Sequence, residues 1–194
     1  MASDSPTWVV LAGGRGTRMG GLKVECELDG RRLIDHVVDA IPADEPVIVV
    51  GPALDLTREV RTCVEEPRFG GPVAALAAAL PLIDTERFVL IAADMPWVVP
   101  QALSLLAHQS DDDVLVAVDA DGRRQPMCSS WRTSSARSAT VQLPAVQGAS
   151  LHALMDRLTV REIPTGDAAG LVDIDTPEDL AAAHAAHERT VGDR

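Results

Sequence analysis

The stretch Trp8-Val9-Val10-Leu11-Ala12-Gly13-Gly14-Arg15-Gly16-Thr17-Arg18-Met19-Gly20-Gly21-Leu22-Lys23 decides how the chain is read. Its first four residues form a short apolar run, as a buried strand does. A glycine-rich turn follows at once. Glycine lets backbone N–H groups close on an anion without interference from a Cβ. Arg15, Arg18 and Lys23 add positive charge, and Lys23 is the sole lysine among 17 strongly basic residues. A strand running into such a turn reads as a phosphate cradle for a nucleotide, carried on an α/β scaffold.

Composition narrows the field further. The 194 residues carry a net charge of −12. Long-range steering therefore repels nucleic acid, acidic membranes and free nucleoside triphosphates alike. A phosphate must then be held by local groups together with a divalent cation. Apolar residues at 46% and charged residues at 24% suit a folded domain. One domain over residues 1–194 is expected, with 1–6 and 190–194 frayed. No apolar run approaches the roughly 18 residues of a membrane span, and the N-terminus lacks a signal pattern. The expected location is the cytoplasm, with no membrane or nucleic-acid partner. Cys26, Cys63 and Cys128 are scattered and odd in number, and read as reduced thiols.

Working outward from the loop, strands and helices alternate. Leu33, Ile34, Val37, Val38 and Ile41 have helical spacing, and Pro42 stops that helix. Residues 46–50 read as a buried strand ended by Gly51-Pro52, residues 55–61 as a short helix, and 62–65 as a short strand. Gly70-Gly71-Pro72 opens an alanine-rich helix over 73–82, with proline in its first turn. Residues 87–93 form the clearest buried strand and end in Asp94-Met95-Pro96. A helix is expected from near Pro100 to His108. Residues 113–118 and 125–131 flank an Asp-Gly turn and predict an antiparallel hairpin. A helix over 150–158, a strand over 160–163 and a strand-like run over 171–175 follow. Thr176-Pro177-Glu178-Asp179 has the signature of a helix start, for a last helix reaching about His187. The pattern predicts an α/β fold in three layers, α/β/α. Its sheet is mostly parallel, with an antiparallel portion in the C-terminal half.

The loop fits neither G-x-x-x-x-G-K-[ST] nor G-x-G-x-x-G. Asp94 is its natural partner, because ligands in open α/β sheets bind beyond the carboxyl ends of strands. A carboxylate there can hold a hard cation that bridges phosphate oxygens. Asp173 and Asp175, if in a strand, point to opposite faces, so at most one of them aims at a metal. The histidines offer no evident general base. If the nucleotide is transferred to a phosphate monoester, none is needed, since that acceptor's second pKa of about 6 leaves it largely ionised at neutral pH. Attack on an α-phosphorus then needs in-line positioning and charge neutralisation. Lys23, Arg18, backbone amides, Asp94 and Mg²⁺ suffice for that.

Several motifs in order also resemble one family. L-A-G-G-x-x-x-R-M-G-x-x-K over 11–23 and L-x-G-R-x-L-I-x-H-V over 28–37 resemble the opening of the MobA-like nucleotidyltransferases. The likeness continues through Gly71-Pro72, Ala93-Asp94-Met95-Pro96, Gly122-Arg123-Arg124-Gln125-Pro126, Gly148-x-Ser150-Leu151 and Asp175-Thr176-Pro177-Glu178-Asp179-Leu180. The resemblance implies a Rossmann-like nucleotidyltransferase fold. It implies Mg²⁺-dependent guanylyl transfer, in which GTP and the phosphorylated pterin molybdopterin give the guanine dinucleotide cofactor and pyrophosphate. Transient contact with other proteins of molybdenum cofactor synthesis is implied too. By position, Leu11, Ala12 and Gly13 meet guanine and ribose, with Gly14, Arg15, Gly71 and Pro72 completing the nucleotide site. Lys23 touches phosphates, Glu66 faces the nucleoside, and Asp94 holds Mg²⁺ with Asp173 or Asp175 beside it. Arg123, Arg124 and Gln125 line the acceptor side. Leu22, Glu25 and Glu27 depart from the family pattern. They leave open CTP, another phosphorylated acceptor, or a catalytically inactive nucleotide-binding partner protein.

Overall fold

The computed structural model describes residues 5–13, 25–108, 110–165 and 168–192. In chain order the elements are β1 (Thr7–Leu11), β2 (Glu27–Leu28), β3 (Arg31–Arg32), α1 (Leu33–Ala40), β4 (Val47–Val50), β5 (Arg61–Cys63) and α2 (Pro72–Ala79). There follow β6 (Arg87–Ala92), α3 (Val98–Leu106), β7 (Val114–Val118), β8 (Arg124–Arg132), α4 (Thr133–Val141), α5 (Leu151–Met155), β9 (Val160–Pro164) and α6 (Pro177–Gly192). Short 3₁₀ turns occupy Leu80–Leu82 and Ala168–Leu171.

Seven strands form one sheet in the order β5-β4-β1-β6-β8-β7-β9. Every pairing is parallel except those of β8, which runs antiparallel to both β6 and β7. Strands β1, β4, β6 and β7 are nearly all apolar because both faces are covered. Alternate residues supply the two cores. Trp8, Val10, Val49, Val89 and Ile91 pack with α1 and α3. Val9, Ile48, Phe88, Leu90 and Trp131 pack with α2, α4 and α5. This is the expected three-layer α/β/α arrangement. Large side chains such as Trp8, Phe88 and Trp131 are fully buried, and burial of a big apolar side chain stabilises by about 1.5–3 kcal/mol. The Phe88 and Trp131 rings stack at 6.2 Å between centroids.

Several local expectations are corrected. Residues 55–61 form no helix; Leu54, Leu56 and Val60 pack on the first core as irregular chain. Arg58 sits among them and donates to the carbonyls of Ile41, Pro42, Ala43 and Glu45. Helix α3 begins at Val98, so Pro100 is its third residue. It is tolerated because the first-turn N–H groups have no partner within the helix. Residues 172–175 are not a strand but irregular chain after a 3₁₀ turn. The sequence pattern marks neither α4 nor the small β2–β3 hairpin. α6 packs over that hairpin through Leu28, Leu33, Ile174 and Ala183 and continues to Gly192, beyond the expected end.

Strand β1 has β4, its successor through α1, on one side and β6 on the other. The order reverses at β1, and a crevice opens there beyond the strand ends.

Candidate active site

At the end of β1 the chain is fixed from both sides. The Ala12 N–H donates to the Val50 carbonyl at 2.8 Å, and the Ala93 N–H donates to the Leu11 carbonyl at 3.0 Å. Gly51 allows this approach, because a Cβ there would stand 2.9 Å from the Ala12 carbonyl carbon. Gly13 then lines a cavity of about 340 Å³. Gly14, Arg15, Arg18 and Lys23 lie outside the described residues. The chain returns at Glu25, and the Cys26 carbonyl accepts the Leu33 N–H at 2.9 Å as α1 begins.

The other walls come from four elements. Leu11, Ala92 and Asp94 lie at the ends of β1 and β6, Gly71, Pro72 and Ala75 at the start of α2, and Glu65 and Phe69 in the loop between β5 and α2. Gly71, with φ +93°, turns the chain into α2, and Pro72 is its first residue. Positive φ suits glycine, and proline at that position forgoes an N–H that would lack a partner. A helix N-terminus at the wall favours an anion. Met127 comes from β8 through an irregularity in its pairing. The register with β7 jumps from Val116↔Ser129 to Ala117↔Gln125. Pro126, which has no N–H for the ladder, lies in the skipped segment. The Ser129 hydroxyl donates to the Pro126 carbonyl at 2.6 Å and closes the bulge.

Glu65 is buried, only 6% exposed, and its Oε1 accepts the Phe69 N–H at 2.9 Å. Glu66, the position expected to face a nucleoside, is instead exposed and outside the cavity lining. The sequence holds no signal for this: β5 ends at Cys63, and in the irregular chain beyond it apolar Val64 is exposed while charged Glu65 is buried. Burial, and secondarily the Glu65 charge, pushes the Cys63 thiol up from its ordinary value.

Asp94 is half-buried and contributes to the lining. Its carbonyl accepts the Ile174 N–H at 3.0 Å, which draws residues 173–175 alongside it. Asp173 is exposed and Asp175 half-buried, and neither lines the cavity. In irregular chain the strict alternation of a strand does not govern which of them turns toward Asp94. Among the described residues no three or more His, Cys, Asp or Glu groups cluster as a metal cage. One or two carboxylates beside a phosphate site suit Mg²⁺, which keeps waters and takes substrate phosphates as ligands.

Arg123, Arg124 and Gln125 lie at the β7–β8 turn. Since β8 runs antiparallel to both β6 and β7, β7 points the same way as β6, and this turn shares the carboxyl edge of the sheet with the cavity. Asp119 organises the turn: its carboxylate accepts the N–H groups of Asp121 and Arg123 and the amide of Gln125. Those bonds, the Arg123 N–H foremost, hold its carboxyl below the usual range. Arg124 pairs with Glu162 at 2.7 Å. A second, more open depression of about 840 Å³ is lined by Arg87, His108, Asp112 and Arg161, away from the strand-order switch.

A mostly parallel sheet in three layers, with its crevice at the β1/β6 switch and an acid at the strand end, is an arrangement suited to seating a nucleotide. The chain belongs to the family of the MobA-like NTP transferase domain, whose model matches residues 8–163. It is 28% identical over 193 aligned residues to molybdenum cofactor guanylyltransferase of Cupriavidus metallidurans, covering 93% of this chain and 95% of that protein. It is 25% identical over 195 residues to the probable molybdenum cofactor guanylyltransferase of Natronomonas pharaonis, covering 91% and 96%. Its fold is similar to that of molybdopterin-guanine dinucleotide biosynthesis protein A from Archaeoglobus fulgidus. The TM-score there is 0.74 at 23% identity, over 94% of this chain and 99% of that one. Among the described residues, no helix is long and apolar enough to cross a membrane.

Proposed function

We propose that this nucleotidyltransferase moves GMP from GTP to molybdopterin, with Mg²⁺, and releases pyrophosphate. The observation that carries the reading is the convergence of Gly13, Glu65 and Asp94 on one cavity at the strand-order switch. The names of the full-length relatives support the choice of substrates.

Glu65 supports guanine on chemical grounds. Guanine presents two adjacent donors, N1–H and the 2-amino group, and a buried carboxylate is an acceptor only. Adenine and cytosine each pair a donor with an acceptor on that edge, and the acceptor would meet a carboxylate oxygen. Leu11, Ala12 and Gly13 offer backbone groups to the base and ribose. The α2 N-terminus at Gly71 and Pro72 faces charge on the nucleotide, while Arg15, Arg18 and Lys23 are assigned to its phosphates. Asp94, with Asp173 or Asp175, would hold Mg²⁺. When bound, the ion neutralises phosphate charge and stabilises the leaving pyrophosphate. The acceptor phosphate is already ionised, so these residues orient and neutralise and need remove no proton.

Arg123, Arg124 and Gln125 are assigned to the acceptor. One observation favours a second reading with a different phosphorylated acceptor: Arg124 and Gln125 are already engaged by Glu162 and Asp119. Pyrophosphate release from GTP, CTP and ATP, each with Mg²⁺ and molybdopterin, tests the proposal. GTP alone is expected to turn over. Turnover with CTP alone would transfer the assignment to cytidylyl transfer.

A further inference from the structure

The chain has five aromatic residues, three Trp and two Phe. Trp8, Phe88 and Trp131 are fully buried, and Trp97 packs beneath α6 with Leu28 and Leu33. Phe69 differs, being 51% exposed. Its backbone differs too. Among the described residues two non-glycines have positive φ, Asp29 at 54° and Phe69 at 63°. Aspartate visits this region readily in turns, whereas for a bulky side chain it is an outlier. Such strain persists where the surroundings over-determine it, and it concentrates at ligand sites.

The surroundings here are specific. The buried carboxylate of Glu65 accepts the Phe69 N–H, and the next residue, Gly70, leaves no room for a side chain, since a Cβ there would meet Ala74 at 2.8 Å. The Gly70 carbonyl in turn accepts the Gly148 N–H at 2.7 Å. The turn is thus anchored from two sides, with the aromatic ring at its tip. Phe69 lines the main cavity, and it also lines a smaller one bounded by Ala12, Gly51 and Arg68. Both cavities include Gly13 and Glu65. Phe69 therefore borders both, beside the groups assigned to the base.

We propose that Phe69 is the platform on which the nucleobase stacks, its turn held by the hydrogen bond from the Phe69 N–H to Glu65. This rests on the nucleotide reading above and adds to it a source of affinity. A π face accepts any base, so Phe69 supplies binding and leaves the choice of base to hydrogen-bonding groups. Alanine substitution of base-stacking aromatics weakens binding by about 5- to 150-fold.

The test measures the dissociation constant of GTP with Mg²⁺ by calorimetry, together with steady-state kinetics, on the full chain. Phe69→Gly suits the positive φ and removes the ring; Phe69→Tyr keeps the ring. Phe69→Gly is expected to raise the GTP Kd and KM about 5- to 150-fold, with kcat at saturating GTP and KM for molybdopterin near wild type. Phe69→Tyr should bind as the wild type does. Phe69→Trp should show a fluorescence change on GTP addition beyond that of the wild type. GTP binding by Phe69→Gly as tight as wild type would overturn the platform and leave the nucleotide site standing. A wild-type chain that binds no nucleoside triphosphate with Mg²⁺ would overturn the nucleotide reading itself.

Discussion

Ile174 gives its backbone N–H to the carbonyl of Asp94 at 3.0 Å, joining the approach to the last helix to the end of the central strand β6. Two residues further on, Thr176 and Asp179 cap α6 reciprocally. The Thr176 hydroxyl accepts the Asp179 N–H at 3.1 Å, and the Asp179 carboxylate accepts the Thr176 N–H at 2.8 Å. The cap therefore fixes the chain that abuts the proposed metal side. Thr176→Val is expected to cost about 1 kcal/mol of stability, as lost N-caps do, seen as a lower urea midpoint. Catalytic efficiency should fall with it. Unchanged stability and activity would mean that α6 is held by its apolar face alone.

Asp94→Asn keeps shape and removes charge. Pyrophosphate release should fall by at least about 100-fold, the scale for losing a preorganised electrostatic group, with an unchanged circular dichroism spectrum. Binding of GTP without Mg²⁺ should be little altered, while the added affinity that Mg²⁺ confers should vanish. Turnover retained in this variant would remove Asp94 from the site.

Gly51→Ala places a methyl group 2.9 Å from the Ala12 carbonyl carbon. That neighbour is backbone and cannot swing away. Overpacking of this kind destabilises by about 1–3 kcal/mol, and here it pushes on the segment leading into Gly13. Thermal unfolding and GTP calorimetry should both register the change, and a neutral outcome would contradict the close β1–β4 approach.

Far from the site, Asp113 locks β7 to α4 and β9. The Ser135 hydroxyl foremost, then the Thr159 N–H and hydroxyl, hold its carboxyl below the usual range. A depressed folded pKa gives stability that is present above the unfolded value, roughly 3.9, and is lost as pH falls through the folded one. Asp113→Asn should therefore be less stable than wild type at neutral pH, and the gap should close as pH drops below that unfolded value. Urea titrations at neutral and acid pH check this; a gap that stays constant would contradict it.

The two central strands, the β7–β8 hairpin and the Thr176 cap were legible because large apolar residues, an Asp-Gly turn and a capping pattern each act locally. Helix α4 was not. Its buried positions are Thr133, Ala136, Ala139 and Thr140, which have helical spacing but are too small or too polar to stand out. Residues 55–61 misled in the opposite way. Their apolar groups are real, but Arg58 binds the carbonyls at 41–45 in place of local helical bonding. At the candidate site Asp94 was readable from its strand. Positional likeness points to Glu66, whereas the residue lining the cavity is Glu65, which lies beyond the end of β5 and so outside any strand periodicity. Met127 was hidden, since a bulge around a proline decides which β8 side chain enters the cavity.

A crystal structure with a non-hydrolysable GTP analogue and Mg²⁺ addresses the assignment of the crevice most directly. The guanine should lie against Leu11, Gly13 and Glu65, with the phosphates passing the Asp94 carboxylate and the Lys23 ammonium beside them. A nucleotide seated instead in the depression around Arg87 and Arg161, with the β1/β6 crevice empty, would contradict it.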